Sequence, residues 1–152
     1  MKRLSVLVLL LAAMAVVFNG CSSDDDEPGS GGKAAMYKVT IKQSGDYQNF
    51  IKAVVIVANG TTLKDDIANK SLSKTVFGDE DLTGSTFSVS TEGKAVQFAV
   101  SGGVADRDEE SITNPMTWEV TVFRDGKEID HQVLTFEDGH QPNSKDLNLY
   151  FD

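Results

Sequence analysis

Hydrophobic and polar residues alternate along much of the chain after Met36, and a period of two is typical of half-buried β-strands. In MYKVTIKQ, Tyr37, Val39 and Ile41 share one face, while lysine and threonine occupy the other. TFSVST (86–91) and the final segment DLNLYFD (146–152) alternate in the same way. Residues 53–58 are all apolar, which indicates a central strand covered on both faces.

The segment TWEVTVFRDGKEIDHQVLTF (117–136) predicts a β-hairpin with a two-residue turn at Asp125-Gly126. That turn pairs Trp118 with Val133, Val120 with His131, and Val122 with Ile129, so these six side chains are predicted to face the core. Leu134 and Phe136 then fall on the polar face, which predicts a bulge beyond Val133.

Seven or eight such strands with turn signals between them predict an all-β fold, an antiparallel β-sandwich over residues 36–152. At the level of pattern it resembles immunoglobulin-like or transthyretin-like domains. Asn59-Gly60 is the favoured pair for a type I′ hairpin turn. Residues 61–72 are the one helical candidate, because Leu63, Ile67 and Leu72 approach helical spacing.

The first twenty residues have the charge pattern of a secretory signal peptide. Lys2 and Arg3 precede residues 4–18, in which Ser5 is the one polar side chain. The run is shorter than the roughly 20 apolar residues that a membrane-spanning helix needs. We therefore interpret residues 1–20 as an export signal.

Gly20 directly precedes Cys21, the chain's single cysteine. This pair resembles the lipobox of bacterial lipoproteins, in which the cysteine thiol is alkylated by a diacylglyceryl group and becomes the new N-terminus. Phe18 and Asn19 depart from the usual lipobox, and Bacteroidota-type lipoproteins are looser at those positions. The resemblance implies lipidation of Cys21, and stable anchoring of a protein to a membrane takes more than one acyl chain.

Residues 21–35 follow as the lipidated N-terminus and an acidic, Gly/Ser-rich tether, which lacks the apolar surface needed to fold. Ser23, Asp24, Asp25, Asp26 and Glu27 resemble the surface-export signal of Bacteroidota lipoproteins. The resemblance implies an outer-membrane protein, lipid-anchored and facing the cell exterior, with attachment to the periplasmic side as the alternative.

Composition narrows the function of the folded part. The 152 residues suggest one domain, and a net charge of −9 argues against a nucleic-acid partner because phosphates would be repelled. A single cysteine excludes an internal disulfide or a paired-cysteine zinc site. His131 is predicted to be a partly buried core residue, and His140 lies in a turn-rich loop without a partner nearby in sequence.

Two acidic segments remain, GDED (78–81) and ADRDEE (105–110). Their spacing does not match an EF-hand loop, so we predict solvated loops with no metal and no cofactor. A weak extracellular calcium site is the alternative.

These observations predict a non-catalytic binding or accessory domain of unknown ligand, with an envelope protein complex or a glycan as the partner. Tyr47 and Phe123 are the candidate exposed aromatics on which a sugar ring would stack. A small carbohydrate-active or hydrolytic domain, and a structural envelope module without a ligand, are the alternatives.

Overall fold

The alternating segments form two antiparallel sheets in the computed structural model, which describes residues 32–108 and 111–152. The described strands are β1 (Tyr37–Ser44), β2 (Phe50–Asn59), β3 (Leu63–Asp65), β4 (Lys70–Leu72), β5 (Val76–Phe77), β6 (Thr86–Thr91), β7 (Gln97–Asp106), β8 (Met116–Arg124), β9 (Lys127–Phe136) and β10 (Asn148–Phe151). One sheet has the order β4-β3-β6-β1-β8-β9 and the other β10-β7-β2-β5. The predicted antiparallel sandwich is confirmed. The described residues form ten strands, more than the seven or eight predicted. The prediction was lower because β3, β4 and β5 have only two or three residues and are too short to show alternation.

The core lies between the sheets and contains the inward side chains of β1 and β8 that the alternation predicted. Trp118 is fully buried and donates from Nε1 to Gln43 Oε1 at 3.0 Å. Gln43 in turn donates to the carbonyl oxygens of Leu82 and Gly84, so this buried amide is satisfied. A Cβ on Gly102 would lie 3.1 Å from Trp118 Cζ3, so glycine at this position gives the indole its space.

The β8–β9 hairpin has the predicted turn but not the predicted register. Asp125 and Gly126 have φ of 50° and 81°, as a type I′ turn requires, and Arg124 pairs with Lys127. The ladder slips between Val122 and Phe123, whose partners are Asp130 and Glu128, and Ile129 has no partner. The bulge therefore lies beside the turn and not beyond Val133.

That one-residue slip exchanges the two faces of β9, since side chains alternate along a strand. Trp118 pairs with Leu134 and Thr121 with His131. Val133 and Ile129 are exposed, and His131 lies on the solvent side, so the prediction that these three residues face the core is wrong. Phe136 is buried instead and packs edge-on against Trp118.

Two local predictions for residues 59–72 are also wrong. Asn59-Gly60 does not join a hairpin, because β2 and β3 belong to different sheets and the chain crosses between them. The helical candidate 61–72 forms β3 and β4, which pair Leu63 with Leu72. Ile67 is 65% exposed, so the apolar side chains of this segment do not form the single buried stripe that would support a helix.

The sandwich has two distinct ends. We call the end that carries residues 45–49, 78–85, 107–108, 111–115 and 137–147 the loop end. The opposite end, which carries Gly32, the Asp125-Gly126 turn and Asp152, is the anchor end. The eight residues of β1 separate the ends by roughly 25 Å. Across the described residues, no helix has the length and apolar character to cross a membrane.

Candidate metal centre at the loop end

The described residues of the two acidic segments, 78–81 and 105–108, lie at the loop end, on either side of the start of β2. Asp106 pairs with Phe50 in the β2–β7 ladder. Asp79 Oδ1 accepts a hydrogen bond from the Lys52 backbone N–H at 2.9 Å. The two acidic segments, about 27 residues apart in sequence, thus lie on one surface of the protein. The side chains that surround their carboxylates differ.

Basic side chains pair with Asp79 and Asp81, two of the three acids in the segment 78–81. Lys52 is 3% exposed, and its Nζ lies 3.9 Å from Asp79 Oδ1 and donates to the Tyr47 carbonyl oxygen at 2.7 Å. Arg107 donates to the other oxygen of Asp79, and Lys74 pairs with Asp81. Burial lowers the pKa of Lys52 from its usual value, because the charged ammonium loses hydration, and Asp79 opposes that shift.

The carboxylates around the segment 105–110 bind backbone amides instead. Asp106 is 5% exposed, and its two oxygens accept the N–H groups of Asp108 and Gly139. Asp138 Oδ1 accepts the N–H of Ile112 at 2.9 Å. These bonds tie the β7–β8 loop to the β9–β10 loop.

Asp46 makes the equivalent connection from the β1–β2 loop. Its Oδ2 accepts the N–H groups of Thr113 and Asn114, both at 3.0 Å. Hydrogen bonds from Asn114 and Thr113 hold the pKa of Asp46 below its usual value. Three loops are therefore held together by carboxylates that accept N–H donors.

We call Asp46, Asp106 and Asp138, together with the adjacent Asp108, the amide-bound acids. The carboxylates of the first three accept backbone N–H groups, and Asp108 donates its own N–H group to Asp106. Asp108 is in the left-handed region, with φ of 56°. Within the described residues, no lysine or arginine forms an ion pair with any of the four. Over that same part of the chain, no group of three or more His, Cys, Asp or Glu side chains converges closely enough to hold a metal ion. Glu109 and Glu110 lie outside the described residues.

The donor chemistry of the amide-bound acids fits a hard divalent cation. All four supply carboxylate oxygens, the ligands that Ca²⁺ prefers. An ionised carboxylate has about four acceptor positions, so one that binds one or two N–H groups retains capacity for a cation. The acids of 78–81 fit less well, because Lys52, Arg107 and Lys74 already neutralise them.

The two histidines have structural surroundings. His140 Nε2 lies 3.2 Å from Asp146 Oδ1, and its ring packs edge-on against Phe136. It therefore has a partner in its own loop, which its sequence surroundings did not reveal. His131 Nδ1 lies 3.2 Å from Thr121 Oγ1 on the solvent face of the six-stranded sheet.

The two candidate aromatics are not brought together. Tyr47 lies in a 3₁₀ turn (Tyr47–Asn49) at the loop end and packs partly on the core, with Lys52 Nζ 5.3 Å from its ring centre. Phe123 is half-buried at the anchor end, beside a groove of about 450 Å³ on the outer face of the six-stranded sheet. Cys21 and the segment from Ser23 to Glu27 lie outside the described residues.

Arg124 organises the anchor end. Its guanidinium donates to the Lys33 carbonyl oxygen at 2.7 Å and to an Asp152 oxygen at 3.2 Å, and it lies 5.6 Å from the centre of the Tyr37 ring. The described chain therefore begins at a fixed place on the sandwich, at the end opposite the amide-bound acids.

Sequence reasoning missed several residues of the loop end. Asp46 and Asp138 sit beside glycine, at Gly45 and Gly139, whose φ values of 74° and 75° require a turn. Such Gly–Asp pairs are a turn signal visible in sequence. Lys52 interrupts an otherwise apolar strand, which is the signal for a buried charge that needs a partner.

Comparison with known proteins agrees with an all-β lipoprotein. A family model described as "PLAT/LH2 and C2-like Ca2+-binding lipoprotein" matches residues 3–150. The chain is 52% identical to a protein from Parabacteroides distasonis whose NMR structure is of the calcium-bound form; the match covers 86% of this chain and 100% of that one, with a TM-score of 0.73.

Two crystal structures share the fold at lower identity. A domain of unknown function, DUF4425, from Bacteroides vulgatus is 20% identical, with a TM-score of 0.60 over 78% of this chain and 93% of that one. A DUF4425 family protein from Bacteroides ovatus is 16% identical, with a TM-score of 0.59 over 78% and 94%. No curated protein matches the chain.

Proposed function

Because the chain belongs to the family of PLAT/LH2 and C2-like Ca2+-binding lipoproteins, we propose that its sandwich is a calcium-binding module carried on a lipid anchor. The observation that carries the proposal is the set of amide-bound acids at one end of the sandwich, without a basic partner among the described residues. The identity of 52% to a protein solved in its calcium-bound form supports it.

Asp106, Asp108 and Asp138 are the carboxylates that we propose as ligands, with Asp46 on the neighbouring loop. Because no three such side chains converge in the described residues, these acids would have to move closer together when the ion binds. Ca²⁺ takes about six to eight oxygen ligands, many of them backbone carbonyl groups and water, so carboxylates supply only part of the shell. When bound, the ion would supply positive charge beside these carboxylates. The protein's own contribution is to hold the β7–β8 and β9–β10 loops together through the bonds of Asp106 and Asp138.

For location, we propose that Cys21 is lipidated and that Ser23, Asp24, Asp25, Asp26 and Glu27 direct the protein to the outer face of the outer membrane. The position of Gly32 at the anchor end supports an arrangement in which the loop end is the more distant from the membrane. In that arrangement the calcium site is presented to the surroundings of the cell and not to the lipid that holds the anchor.

We propose further that the module is a non-catalytic accessory domain of an envelope complex. Asp106 at the loop end binds backbone N–H groups, Asp79 binds Arg107, and His140 is held by Asp146 and Phe136. A glycoside hydrolase would instead need two carboxylates placed across a substrate cleft.

Calcium binding is tested by thermal unfolding of the protein in about 10 mM Ca²⁺ and in EDTA. Extracellular calcium modules bind with a Kd of about 10⁻⁴–10⁻³ M, so a stabilisation of about 1.4–2.7 kcal/mol is expected. Asp108→Asn and Asp138→Asn should lose most of it. Asp81→Asn is the matched control, since it removes one charge from the same end and should keep it. Equal stability of the unmodified protein in calcium and EDTA would contradict the proposal.

The location is tested separately in cells. Cys21→Ala should release the protein from the membrane fraction. Replacing Asp24, Asp25, Asp26 and Glu27 by alanine should protect it from protease added to intact cells while leaving it in the membrane. If the alanine variant stays accessible to protease, these acids serve only as a solvated spacer.

A further inference from the structure

The outer face of the four-stranded sheet is uncharged, which is unusual for a chain with a net charge of −9. Its apolar side chains form a cluster separate from the main core, built on Ala53 and Ala105 with Ile51 and Val55 packed on them. The remaining outward positions in the described strands are also neutral: Val57, Asn59, Val76, Gln97, Ala99, Ser101, Gly103, Asn148 and Tyr150. We call this surface the neutral face.

One aromatic ring stands out from the neutral face. Tyr150 is 56% exposed, whereas its neighbours Leu149 and Phe151 pack on the core. Tyr150 pairs with Ala99, which pairs in turn with Val57. Because alanine is small, the side of the tyrosine ring that faces β7 is left open above a shallow groove of about 320 Å³.

Two amides border the same groove. Asn59 Nδ2 donates to Gln97 Oε1 at 3.3 Å. In the described part of the chain this leaves Asn59 Oδ1 as a free acceptor and Gln97 Nε2 as a free donor. A groove lined by an acceptor, a donor and the exposed ring of Tyr150 matches a ligand with hydroxyl groups and an apolar face.

We propose that the neutral face binds an uncharged carbohydrate, with one sugar ring stacked on Tyr150 and its hydroxyl groups hydrogen-bonded to Asn59 and Gln97. The C–H groups of a sugar ring form a flat apolar face that packs on an aromatic ring, while its hydroxyls need neutral donors and acceptors. Such a ligand is neither attracted nor repelled electrostatically, which fits the lack of charged side chains on the described face. This site goes beyond the proposed calcium site and does not depend on it.

The groove favours a carbohydrate over a protein partner. Its volume of about 320 Å³ is at the small end of the roughly 300–1,000 Å³ found for small-molecule sites. A stable protein interface covers about 800 Å² on each partner, and its centre is rich in large apolar anchors. Beside Tyr150 the groove is lined mainly by small or amide side chains such as Ala99, Asn59 and Gln97, which offer few such anchors. The larger apolar side chains Ile51, Val55 and Val76 lie further along β2 and β5, outside the groove.

The proposal is tested by electrophoresis of the full lipoprotein, extracted in a neutral detergent, through native gels that each contain one polysaccharide. The neutral panel is starch, xyloglucan, galactomannan and levan, and polygalacturonate is the anionic control. At least one neutral polysaccharide should retard the protein, polygalacturonate should not, and EDTA should leave the retardation unchanged. Absence of retardation by all four neutral polysaccharides would overturn the proposal.

Variants place the site on the molecule. Tyr150→Ala should weaken the retarding interaction about tenfold or more, and Tyr150→Phe, which keeps the ring, should stay within about threefold of the unmodified protein. Val133→Ala, which removes an exposed apolar side chain from the other sheet, is the control and should bind normally. Retention of binding in Tyr150→Ala would overturn the assignment. So would self-association in sedimentation that Tyr150→Ala abolishes, because the face would then be an interface between copies of the chain.

Discussion

The acidic residues at the loop end fall into two clusters, which differ in the groups that bind their carboxylates. Asp79 and Asp81 are paired with Lys52, Arg107 and Lys74. Asp46, Asp106 and Asp138 accept backbone N–H groups from neighbouring loops, and no lysine or arginine of the described residues pairs with them. Asp79 and Asp81 of GDED are thus internally neutralised, whereas the amide-bound acids, which include Asp106 and Asp108 of ADRDEE, retain capacity for a cation.

The largest difference should appear when a charged partner is removed from the neutralised cluster. Asp79→Ala leaves the buried ammonium of Lys52 with Arg107 as its nearest charged neighbour, and we expect a loss of about 3 kcal/mol in unfolding free energy. Urea denaturation measures it. The double variant Asp79→Ala/Lys52→Met should recover a large part of the loss; no recovery would show that the charge of Lys52 is not the cause.

Removing an acceptor from the amide-bound cluster should cost somewhat less. Asp106→Ala leaves the N–H groups of Asp108 and Gly139 without their acceptor, and we expect a loss of about 2 kcal/mol in EDTA. Asp106→Asn retains one amide oxygen and should lose less. Native-state hydrogen exchange at the Gly139 amide is the direct measurement, and unchanged protection in Asp106→Ala would contradict this role.

Loss of the exposed ion pair Lys74–Asp81 should lower the free energy of unfolding far less than loss of the buried pair Lys52–Asp79. Lys74 and Asp81 have side chains 45% and 21% exposed, so we expect Lys74→Ala to cost about 0.5 kcal/mol. In the same urea titration at high salt, the difference in unfolding free energy between Lys74→Ala and the unmodified protein should be smaller still, because salt screens exposed ion pairs. A cost comparable to that of Asp79→Ala would remove the distinction between buried and exposed pairs in this cluster.

The smallest effect should be a change in acid sensitivity. The hydrogen bonds from Asn114 and Thr113 that lower the pKa of Asp46 contribute stability above its unfolded-state pKa. That contribution is lost as the pH falls through the lowered pKa, because the folded state must then take up a proton. Asp46→Asn should therefore flatten the dependence of stability on pH below about 4. An unchanged slope would show that Asp46 does not contribute.

The sequence pattern correctly predicted the features that depend on residues adjacent in sequence. The type I′ turn at Asp125-Gly126 follows from the tolerance of these residues for positive φ. The burial of Val39, Ile41 and Trp118 follows from alternation with polar neighbours. The register of β9 did not follow, because a bulge at Ile129 is compatible with the same alternation and only the packing of Phe136 on Trp118 distinguishes the two arrangements.

The candidate metal centre shows the same division. The two acidic segments were visible as clusters, with solvated loops preferred to a calcium site. Lys52 and Arg107 both pair with Asp79 and so determine which acids are neutralised. These two basic residues lie in β2 and just after β7, far from Asp79 in sequence. Similarly, the sequence pattern favours Tyr47 and Phe123 as exposed aromatics, whereas Tyr150, which is 56% exposed, lies within the alternating segment 146–152 and is not distinguished by it.

The sequence by itself determined the antiparallel sandwich, the turn at Asp125-Gly126 and the interpretation of the N-terminal segment as a lipoprotein signal, since each depends on residue order over short distances. Only the tertiary structure decided which face of β9 is buried, which acids are neutralised and which aromatic ring is open to a ligand. These properties arise where strands distant in sequence meet. A register shift of one residue changes which face of β9 is buried, and the position of one basic side chain changes which acid is neutralised.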